Sequence, residues 1–555
     1  MNRREFVCRA ATVTAGVALG GAGVFAQARQ SADLVLTNGV IVTMDPRQPV
    51  TQAVAVKAGR ILAVGDNPTV EALCDAATRR VDLAGRSLSP GLIDAHSHLA
   101  AFGQMELYFV KVRPPAVHSF DTLCRALAQA ARGRQPGEWI VARGFNEFDE
   151  GRFPHRREID GATPRNPVLA IHWSGQFGIA NTLALREAGL LTAQAQDPPG
   201  AKYLRDRKDN VPNGCLLHYP AIYSVYQPTM TVPEHQAATK WGIDRFPPEG
   251  VTCVHDNFCN PLTGMRYVEQ ERAGQLPLRL RVYPYVRNLA ECQNLIAKMR
   301  RYEGPLVRVQ GVKLAVDGYP LLYDVPRNAD HVNIPMHEQP ELDAMIAAIH
   351  NAGMQSDVHA VGDRGVDMVL DAFERAAGSE AGVAQRRHRI EHYMFRKLDS
   401  IRRTADLGVP VCTQPTQVVV RGDDFVRKFG MAQSTGMVPL ASFRREGVQV
   451  CFGADVPAFP THLPMDSIRC AMQRTTAAGV QFDPAEAISF LEALEAHTIK
   501  SAFAAGDEAE LGSIEMGKCA DFAVWNNDLT GVTADNLDGL QVTQTYLAGN
   551  CVYGA

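Results

Sequence analysis

Two histidines separated by a single serine, His96 and His98, end a largely apolar stretch of the chain. On a β-strand, alternate side chains project from the same face, so both imidazoles would point towards one place. Paired imidazoles are typical ligands of a divalent transition metal ion. The pair alone is weak evidence, because two hydrogen-bonded or solvent-exposed histidines would produce the same pattern.

Further residues of types that bind metals recur later in the chain, each at the end of a predicted strand: Lys313, His359, His392 and Asp455. Taken singly, each has an ordinary structural alternative, such as an ion-paired lysine or a helix-capping aspartate. Their recurrence at equivalent strand ends, together with the histidine pair, predicts a metal site. His255 ends another predicted strand and is a candidate substrate-binding residue, with a purely structural role as the alternative.

The stretches that carry these residues belong to an alternating pattern of short apolar strands and amphipathic helices. Eight strands are predicted, at 88–98, 250–257, 278–286, 307–318, 354–363, 388–393, 409–415 and 448–455. Helices fit between them, for example over 340–353 and 365–378. This alternation favours a parallel α/β fold, and eight units favour a (β/α)8 TIM-type barrel. Active sites of such barrels form at the C-terminal ends of the strands, where these polar residues fall.

Two further regions surround the predicted barrel, which we assign to residues 89–507. Residues 100–245 are too long for a connection between barrel strands, and we interpret them as an inserted subdomain over the active face. Residues 33–88 and 508–555 both contain short strands broken by glycine-rich turns. The matching character predicts one small β-sandwich built from both ends of the chain.

Residues 1–28 differ from the rest of the chain. Arg3 and Arg4 precede an apolar, Ala/Gly-rich stretch over 10–25, and Ala-Gln-Ala at 26–28 is typical of a cleavage site. The arginine pair is similar to a twin-arginine export signal, which predicts a periplasmic or secreted protein. We expect no stable membrane span once the signal is removed. A terminal tail with a chance arginine pair is the alternative.

The overall composition narrows the classes of partner. The chain has 555 residues and a formal net charge of −4, without a block of lysine or arginine, so no nucleic-acid partner is expected. Its twelve cysteines include no Cys-x-x-Cys pair, which argues against a zinc ribbon or a thioredoxin-type site. A small-molecule substrate is the expected partner, and a homodimer remains open.

Several motifs together resemble those of the amidohydrolase superfamily: PGLIDAHSH, GVKLAVDG, VHAVGDRG, HRIEH, FGADVP and LGSIEMGKCADFAVW. Within it they look like the branch that contains N-substituted formamide deformylases and exoenzyme-regulator-like proteins. The likeness covers nearly the whole chain after the predicted signal, and it supports the composite sandwich.

The resemblance implies a role for each candidate ligand. His96 and His98 would bind the more buried of one or two divalent metal ions, with zinc the expected metal. Lys313 would bridge two metals as a carboxylated lysine, and His359 and His392 would bind the second. Asp455 would bind the first metal and accept the proton of the attacking water. A site with a single metal is the main alternative.

Two residues of the region 100–245 depart from the pattern of that branch. Gln176, in WSGQFGIAN, stands where related sequences often have histidine, and His218, in NGCLLHYPA, where they often have glutamate. Both are candidate substrate-binding residues, and solvent exposure is the alternative.

Neighbours of the predicted ligands are assigned structural roles. We expect Arg389 and Glu391 to form an ion pair that points away from the ligands. Asp363 and Arg364 are expected to orient His359.

The leading hypothesis is a metal-dependent hydrolase that cleaves a non-peptide C–N bond, in a linear amide, through metal-activated water. Hydrolysis of an ester, lactone or cyclic amide on the same scaffold is the alternative. A non-catalytic, metal-binding exported protein is a third hypothesis, and the retention of Asp455 beside all the ligand candidates argues against it.

Overall fold

The computed structural model describes residues 31–146, 148–298, 302–318, 321–324 and 333–554, with only the backbone described at 432 and 433. The predicted export signal, residues 1–28, lies outside the described residues. Within those ranges, no helix combines the length and apolar character needed to cross a bilayer.

The N-terminal part of the chain is built mainly of short strands. Its elements are β1 Leu34–Thr37, β2 Val40–Val42, β3 Val50–Thr51, β4 Ala53–Lys57, β5 Arg60–Gly65, α1 Asn67–Glu71, β6 Arg79–Asp82 and β7 Ser87–Pro90. Four of the strands form one sheet in the order β5-β4-β1-β6. The predicted strand 88–98 is in fact two strands, because the chain passes at Gly91 from one sheet to another. A side chain at Gly91 would lie 2.2 Å from Thr252 Oγ1, so this crossing requires glycine.

The next part begins with β8 Leu92–Ser97 and α2 Leu99–Tyr108. It continues with β9 Val110–Lys111, α3 Phe120–Ala131, β10 Ile140–Phe145, α4 Arg156–Asp160, β11 Val168–His172, β12 Phe177–Ala180, α5 Thr182–Glu187, β13 Lys202–Arg205, β14 Pro212–Leu217, α6 His218–Val225 and α7 Val232–Ile243. Six of these strands form a separate sheet in the order β13-β14-β12-β11-β10-β9. We call this unit the β9–β14 sheet.

Parallel strands then alternate with helices. The strands are β15 Val251–Cys259, β16 Arg279–Pro284, β17 Val307–Val309, β18 Gly311–Ala315, β19 Gln355–Ala360, β20 Arg389–His392, β21 Val411–Thr413 and β22 Val450–Phe452. The helices are α8 Pro261–Arg272, α9 Leu289–Lys298, α10 Gln339–Asn351, α11 Asp363–Ala377, α12 Glu380–Arg386, α13 Leu398–Asp406, α14 Gln417–Phe429, α15 Met431–Ser434, α16 Leu440–Arg445, α17 Pro464–Gln473, α18 Phe490–Ala496 and α19 Ile499–Ala504, with 3₁₀ turns at Pro247–Glu249 and Pro484–Glu486.

Two parallel sheets arise from these strands and β8, in the orders β17-β16-β15-β8 and β18-β19-β20-β21-β22. A parallel bridge between Tyr285 and Lys313 connects the two sheets on one side. On the other side, the backbone N–H of Asp455 donates to the carbonyl of His96 at 2.6 Å. The fold is therefore of the α/β barrel type. Its predicted fourth strand, 307–318, is interrupted at Gln310, whose N–H donates to Val282 instead.

Hydrophobic periodicity explains why the helices pack around these strands. On α11, the buried residues Val366, Val369, Leu370 and Phe373 recur at the spacing of one helical face. They join Leu342 and Ile346 of α10 and strand residues such as Val358 in one core. The strands themselves are buried on both faces, as expected for parallel strands covered by helices.

The C-terminal strands return to the N-terminal part of the chain. They are β23 Phe522–Trp525, β24 Val542–Leu547 and β25 Asn550–Tyr553. β23 pairs with β7, which gives a six-stranded sheet in the order β25-β24-β23-β7-β2-β3. Two buried ion pairs, Arg279 with Asp521 at 2.6 Å and Arg281 with Asp507 at 2.5 Å, tie β16 to the C-terminal segment.

Candidate metal centre

The six predicted ligands all line one small cavity of about 70 Å³ at the C-terminal ends of the parallel strands. We call it the inner cavity. Its predicted ligands are His96 and His98 at the end of β8, Lys313 on β18, His359 on β19, His392 at the end of β20 and Asp455 after β22. Parallel strands bring these residues together because their C-terminal ends meet at one edge.

His96, His98 and Asp455 form the tightest part of the inner cavity. One ligand atom from each lies within 4.8 Å of the other two. His98 Nε2 is 3.1 Å and His96 Nε2 is 3.7 Å from Asp455 Oδ1. His98 Nδ1 donates to the carbonyl of Asn257, and His96 Nδ1 contacts the Glu391 carboxylate. Each ring therefore turns Nε2 towards Asp455, and Nε2 is one of the two nitrogens through which an imidazole binds metal.

The charge balance at this point fits a cation. Burial, followed by the nearby Lys313, lowers the pKa of His96 well below its usual value. Burial alone would raise the pKa of Asp455, but the hydrogen bond from His98 and the field of the histidines hold it at about 2. Glu391 holds His96 through Nδ1, so His96 turns an unprotonated Nε2 towards the Asp455 carboxylate, which is repulsive, and a divalent metal between them would remove that repulsion. The residues present thus fit the metal that the sequence predicts.

His359 and His392 lie beside this group, with ring centroids 4.3 Å apart. His392 Nδ1 donates to Gln414 Oε1 at 2.7 Å. His359 Nε2 is buried without a hydrogen-bond partner among the described residues, 3.7 Å from Asp317 Oδ1. A buried nitrogen without a partner is rare in folded proteins and is consistent with a role in ligand or metal binding.

Two of the candidate ligands have a left-handed backbone, with φ of 76° at His392 and 53° at Asp455. For residues with a side chain, this conformation costs on the order of 1–3 kcal/mol and concentrates at functional sites. The strain lets both side chains turn into the inner cavity just where their strands end.

Lys313 is buried and lies 2.8 Å from Asp357 Oδ1. Burial, followed by repulsion from Glu391, raises the pKa of Asp357 to about 6. The ion-paired form is the structural alternative named above, and carboxylation of Lys313 stays a prediction.

Two neighbouring carboxylates orient the ligands and were missed in the sequence. Asp94 accepts from the N–H groups of His96 and Ala454, both at 3.0 Å, and so joins the two strand ends that carry ligands. Asp317 accepts from three backbone N–H groups, including Val361 at 2.9 Å and Gly362 at 2.7 Å, beside His359. Both aspartates stand inside the quoted motifs, two residues before His96 and four after Lys313, and that spacing was the available signal.

The structural roles expected for other neighbours are partly correct. Arg389 and Glu391 form the expected buried ion pair, with Nε to Oε1 at 2.5 Å, but Glu391 also contacts His96 rather than pointing away. The role expected for Asp363 is wrong. It begins α11 and accepts from the backbone of Asp324, whereas Asp317 lies beside His359.

The β9–β14 sheet and α6 supply one wall of the inner cavity through residues that the sequence did not single out: Arg143, Ser174, Tyr219 and Tyr223. Arg143 Nε is buried and has no hydrogen-bond partner among the residues that the structure describes, and burial lowers the pKa of its guanidinium. Arg143 is the single charged residue of β10, and a charge within an apolar strand was the signal in the sequence.

A larger cavity of about 540 Å³ opens from the same ligands, since His359, His392 and Asp455 line it too. We call it the outer cavity. One wall comes from the β9–β14 sheet, through Trp173, Ser174, Gln176, Lys202, Leu204 and Leu217. The opposite wall is α14, through Gln417, Arg421, Asp424, Phe425, Lys428 and Phe429.

The three candidate substrate-binding residues have different positions. Gln176 lines the outer cavity, is 2% exposed, and has no hydrogen-bond partner for either side-chain polar atom within the described ranges. His218 is buried beside it; a side chain at Gly318 would lie 2.6 Å from Gln176 Oε1 and 3.0 Å from His218 Nδ1.

His255 lies outside both cavities, so neither cavity supports its substrate-binding role, which stays a prediction. It is fully buried, and Arg389 donates to its Nδ1 at 3.0 Å. The predicted strand ended at 257, but β15 continues to Cys259, so His255 lies four residues before the end of the strand.

Comparison with known proteins agrees with this geometry. The sequence profile described as Amidohydrolase family matches residues 79–553. The chain is 29% identical to Protein LONG AFTER FAR-RED 3 of Arabidopsis thaliana, over 94% of this chain and 92% of that protein. It is also 29% identical to the N-substituted formamide deformylase of Arthrobacter pascens, over 94% and 98% of the two chains. The crystal structure of an uncharacterized metal-dependent hydrolase from Pyrococcus horikoshii OT3 superposes with a TM-score of 0.71 at 21% identity, covering 91% of this chain and 99% of the other.

Proposed function

Because the chain belongs to the amidohydrolase family, we propose that it is a metal-dependent hydrolase that cleaves the C–N bond of a non-peptide, linear amide. The observation that carries this proposal is the convergence of His96, His98 and Asp455, each offering one ligand atom within 4.8 Å of the others. The deformylase among the relatives acts, by its name, on N-substituted formamides, which are linear amides.

One or two divalent ions, with zinc the expected metal, would be held by the six residues that line the inner cavity: His96, His98, Lys313, His359, His392 and Asp455. When bound, such an ion lowers the pKa of a water molecule towards neutrality and polarises a carbonyl group.

The protein's own residues supply proton transfer and orientation. Asp455, ionised at neutral pH, accepts the proton of the attacking water and passes it to the leaving nitrogen. Glu391 and the Asn257 carbonyl hold the two histidine rings in place through Nδ1. Arg143, which faces the inner cavity without a carboxylate partner among the described residues, stabilises negative charge on the substrate oxygen.

We also infer the finer architecture on which the site depends. The parallel strands would close as a (β/α)8 barrel between His96 and Asp455, supported by their 2.6 Å backbone hydrogen bond. The pairing of β7 with β23 supports one β-sandwich made from residues 33–88 and 508–555. The separate β9–β14 sheet supports an insertion at 100–245.

Metal analysis joined to an activity screen tests the function. Purified protein is expected to contain one or two equivalents of zinc and to hydrolyse members of a panel of N-formyl and N-acetyl amines. A chelator should abolish turnover, and added zinc should restore it. A full equivalent of metal without turnover of amides or esters would contradict the proposal and favour a binding role. Turnover of esters or lactones alone would move the assignment to that alternative.

A further inference from the structure

The outer cavity has mostly apolar walls and an uneven distribution of charge. Trp173, Phe425, Phe459 and Met394 contribute large apolar surfaces. A cavity of about 540 Å³ is large enough for an aromatic or aliphatic group of a small molecule. The inner cavity, of about 70 Å³, leaves room only for a small acyl group next to the ligands.

Arg421, on α14, lines the outer cavity, and its contacts with the described residues do not neutralise its positive charge. Its guanidinium lies over two aromatic rings, 4.4 Å from the centroid of Trp173 and 5.3 Å from that of Phe425. Nε is buried, and the described part of the chain offers this side chain neither a hydrogen bond at Nε nor an ion pair. A guanidinium prefers a carboxylate or phosphate that matches its planar fork, and here the flat rings fix that fork in place.

The nearby charges do not compensate for Arg421. Asp424, the acidic residue of the α14 wall, pairs with Arg427 and accepts from Asn146 Nδ2 at 2.9 Å. Lys202, from the β9–β14 sheet, and Lys428, from α14, are the other cations of the lining. Away from the ligand aspartate, the outer cavity therefore presents positive charge to whatever enters it.

We propose that the substrate is an amide of a small acyl group whose amine part fills the outer cavity with an apolar body and ends in a carboxylate bound by Arg421. This inference rests on the proposed function, because the scissile amide must reach the inner cavity. Water adds to the carbonyl carbon, the C–N bond breaks, and the products are a small carboxylic acid and an amine that keeps the distal carboxylate.

Two matched substrates test the proposal: N-(2-phenylethyl)formamide and the same molecule with a para-carboxylate on the ring. Wild-type, zinc-loaded protein is expected to favour the carboxylated compound in kcat/KM by about tenfold or more. Arg421→Gln should reduce the ratio of the two kcat/KM values about 10- to 100-fold, which is the size of effect expected when a hydrogen bond to a charged group is lost. The loss should appear in KM more than in kcat, because Arg421 is remote from the reacting bond.

Two further variants separate recognition from structural damage. Arg421→Lys keeps the charge but not the fork, so it should restore part of the preference. Arg402→Gln removes an exposed cation of α13 that lies outside the lining of both cavities, and it should keep the wild-type ratio.

Each outcome bears on one proposal. A wild type that hydrolyses the neutral compound as well as the carboxylated one, or an Arg421→Gln variant with the wild-type ratio, overturns the role of Arg421. Zinc-loaded wild type that hydrolyses neither this pair nor any other amide overturns the proposed function instead.

Discussion

The inner cavity takes its ligand-type side chains from strand ends, whereas the outer cavity takes its walls from the β9–β14 sheet and α14. In the inner cavity, most polar groups are held by a second group, as Glu391 holds His96. In the outer cavity, Gln176 and Arg421 keep polar atoms that the described residues leave unpartnered. From this difference we infer that the two cavities have different roles. Residues at the barrel strand ends carry out the reaction, and the β9–β14 sheet and α14 determine substrate specificity.

The largest expected effect tests the inner cavity. Asp455→Asn removes the proposed proton acceptor, and kcat should fall by about 10²–10⁴-fold. The measurement is steady-state kinetics together with metal content, which should remain close to that of the wild type. Asp399→Asn, at a side chain that is 93% exposed, serves as the control. Full activity in the Asp455 variant would contradict the assignment of the reaction to the inner cavity.

The second-largest expected effect is a loss of stability when a residue that holds a candidate metal ligand is changed. Glu391→Gln leaves the fully buried Arg389 without its main counter-charge, so the free energy of unfolding should fall by about 3–5 kcal/mol. Chemical denaturation followed by circular dichroism measures it. Glu374→Gln breaks the exposed pair with Arg403 and should cost under about 1 kcal/mol. Equal losses in the two variants would show that the inner cavity is no more constrained than the surface.

The smallest expected effect concerns the outer cavity, where one substitution should increase stability and weaken substrate binding. Gln176→Leu removes two buried polar atoms without partners, so the free energy of unfolding should rise by about 1 kcal/mol. It should also raise KM up to about tenfold by removing hydrogen bonds to substrate. Gln355→Leu is the contrasting variant, since Gln355 bonds Tyr283 and the Ala504 carbonyl, and it should lose stability. A loss of stability in the Gln176 variant would mean that this side chain is structural.

The inner cavity was more predictable from sequence than the outer one. Strand-end position and residue type pointed to His96 and Asp455, because parallel strands force their ends together. Arg143 and Arg421 could not be found in this way. Arg143 lies on a strand outside the barrel and Arg421 lies on a helix, and only tertiary packing brings them to the inner and the outer cavity.

The departures from the predictions have local physical causes. β15 extends two residues beyond its predicted end, so His255 lies within the strand and lines neither cavity. Asp363 was assigned to His359 on sequence proximity, but the chain turns into α11 there. The alternation of predicted strands and helices along the sequence does not determine the residue at which a barrel strand ends.

The sheet that joins both ends of the chain also constrains biosynthesis. Trp525 donates to Ser89 across 436 residues of sequence, and β7 has no β23 to pair with until the ribosome has made almost the whole protein. Arg279 and Arg281 likewise await Asp521 and Asp507, so a nascent barrel carries two unneutralised cations on one strand. Contacts of such long range slow folding. Completion of the sheet that joins the two ends of the chain is thus a late event in the life of the nascent chain, timed by the arrival of β23.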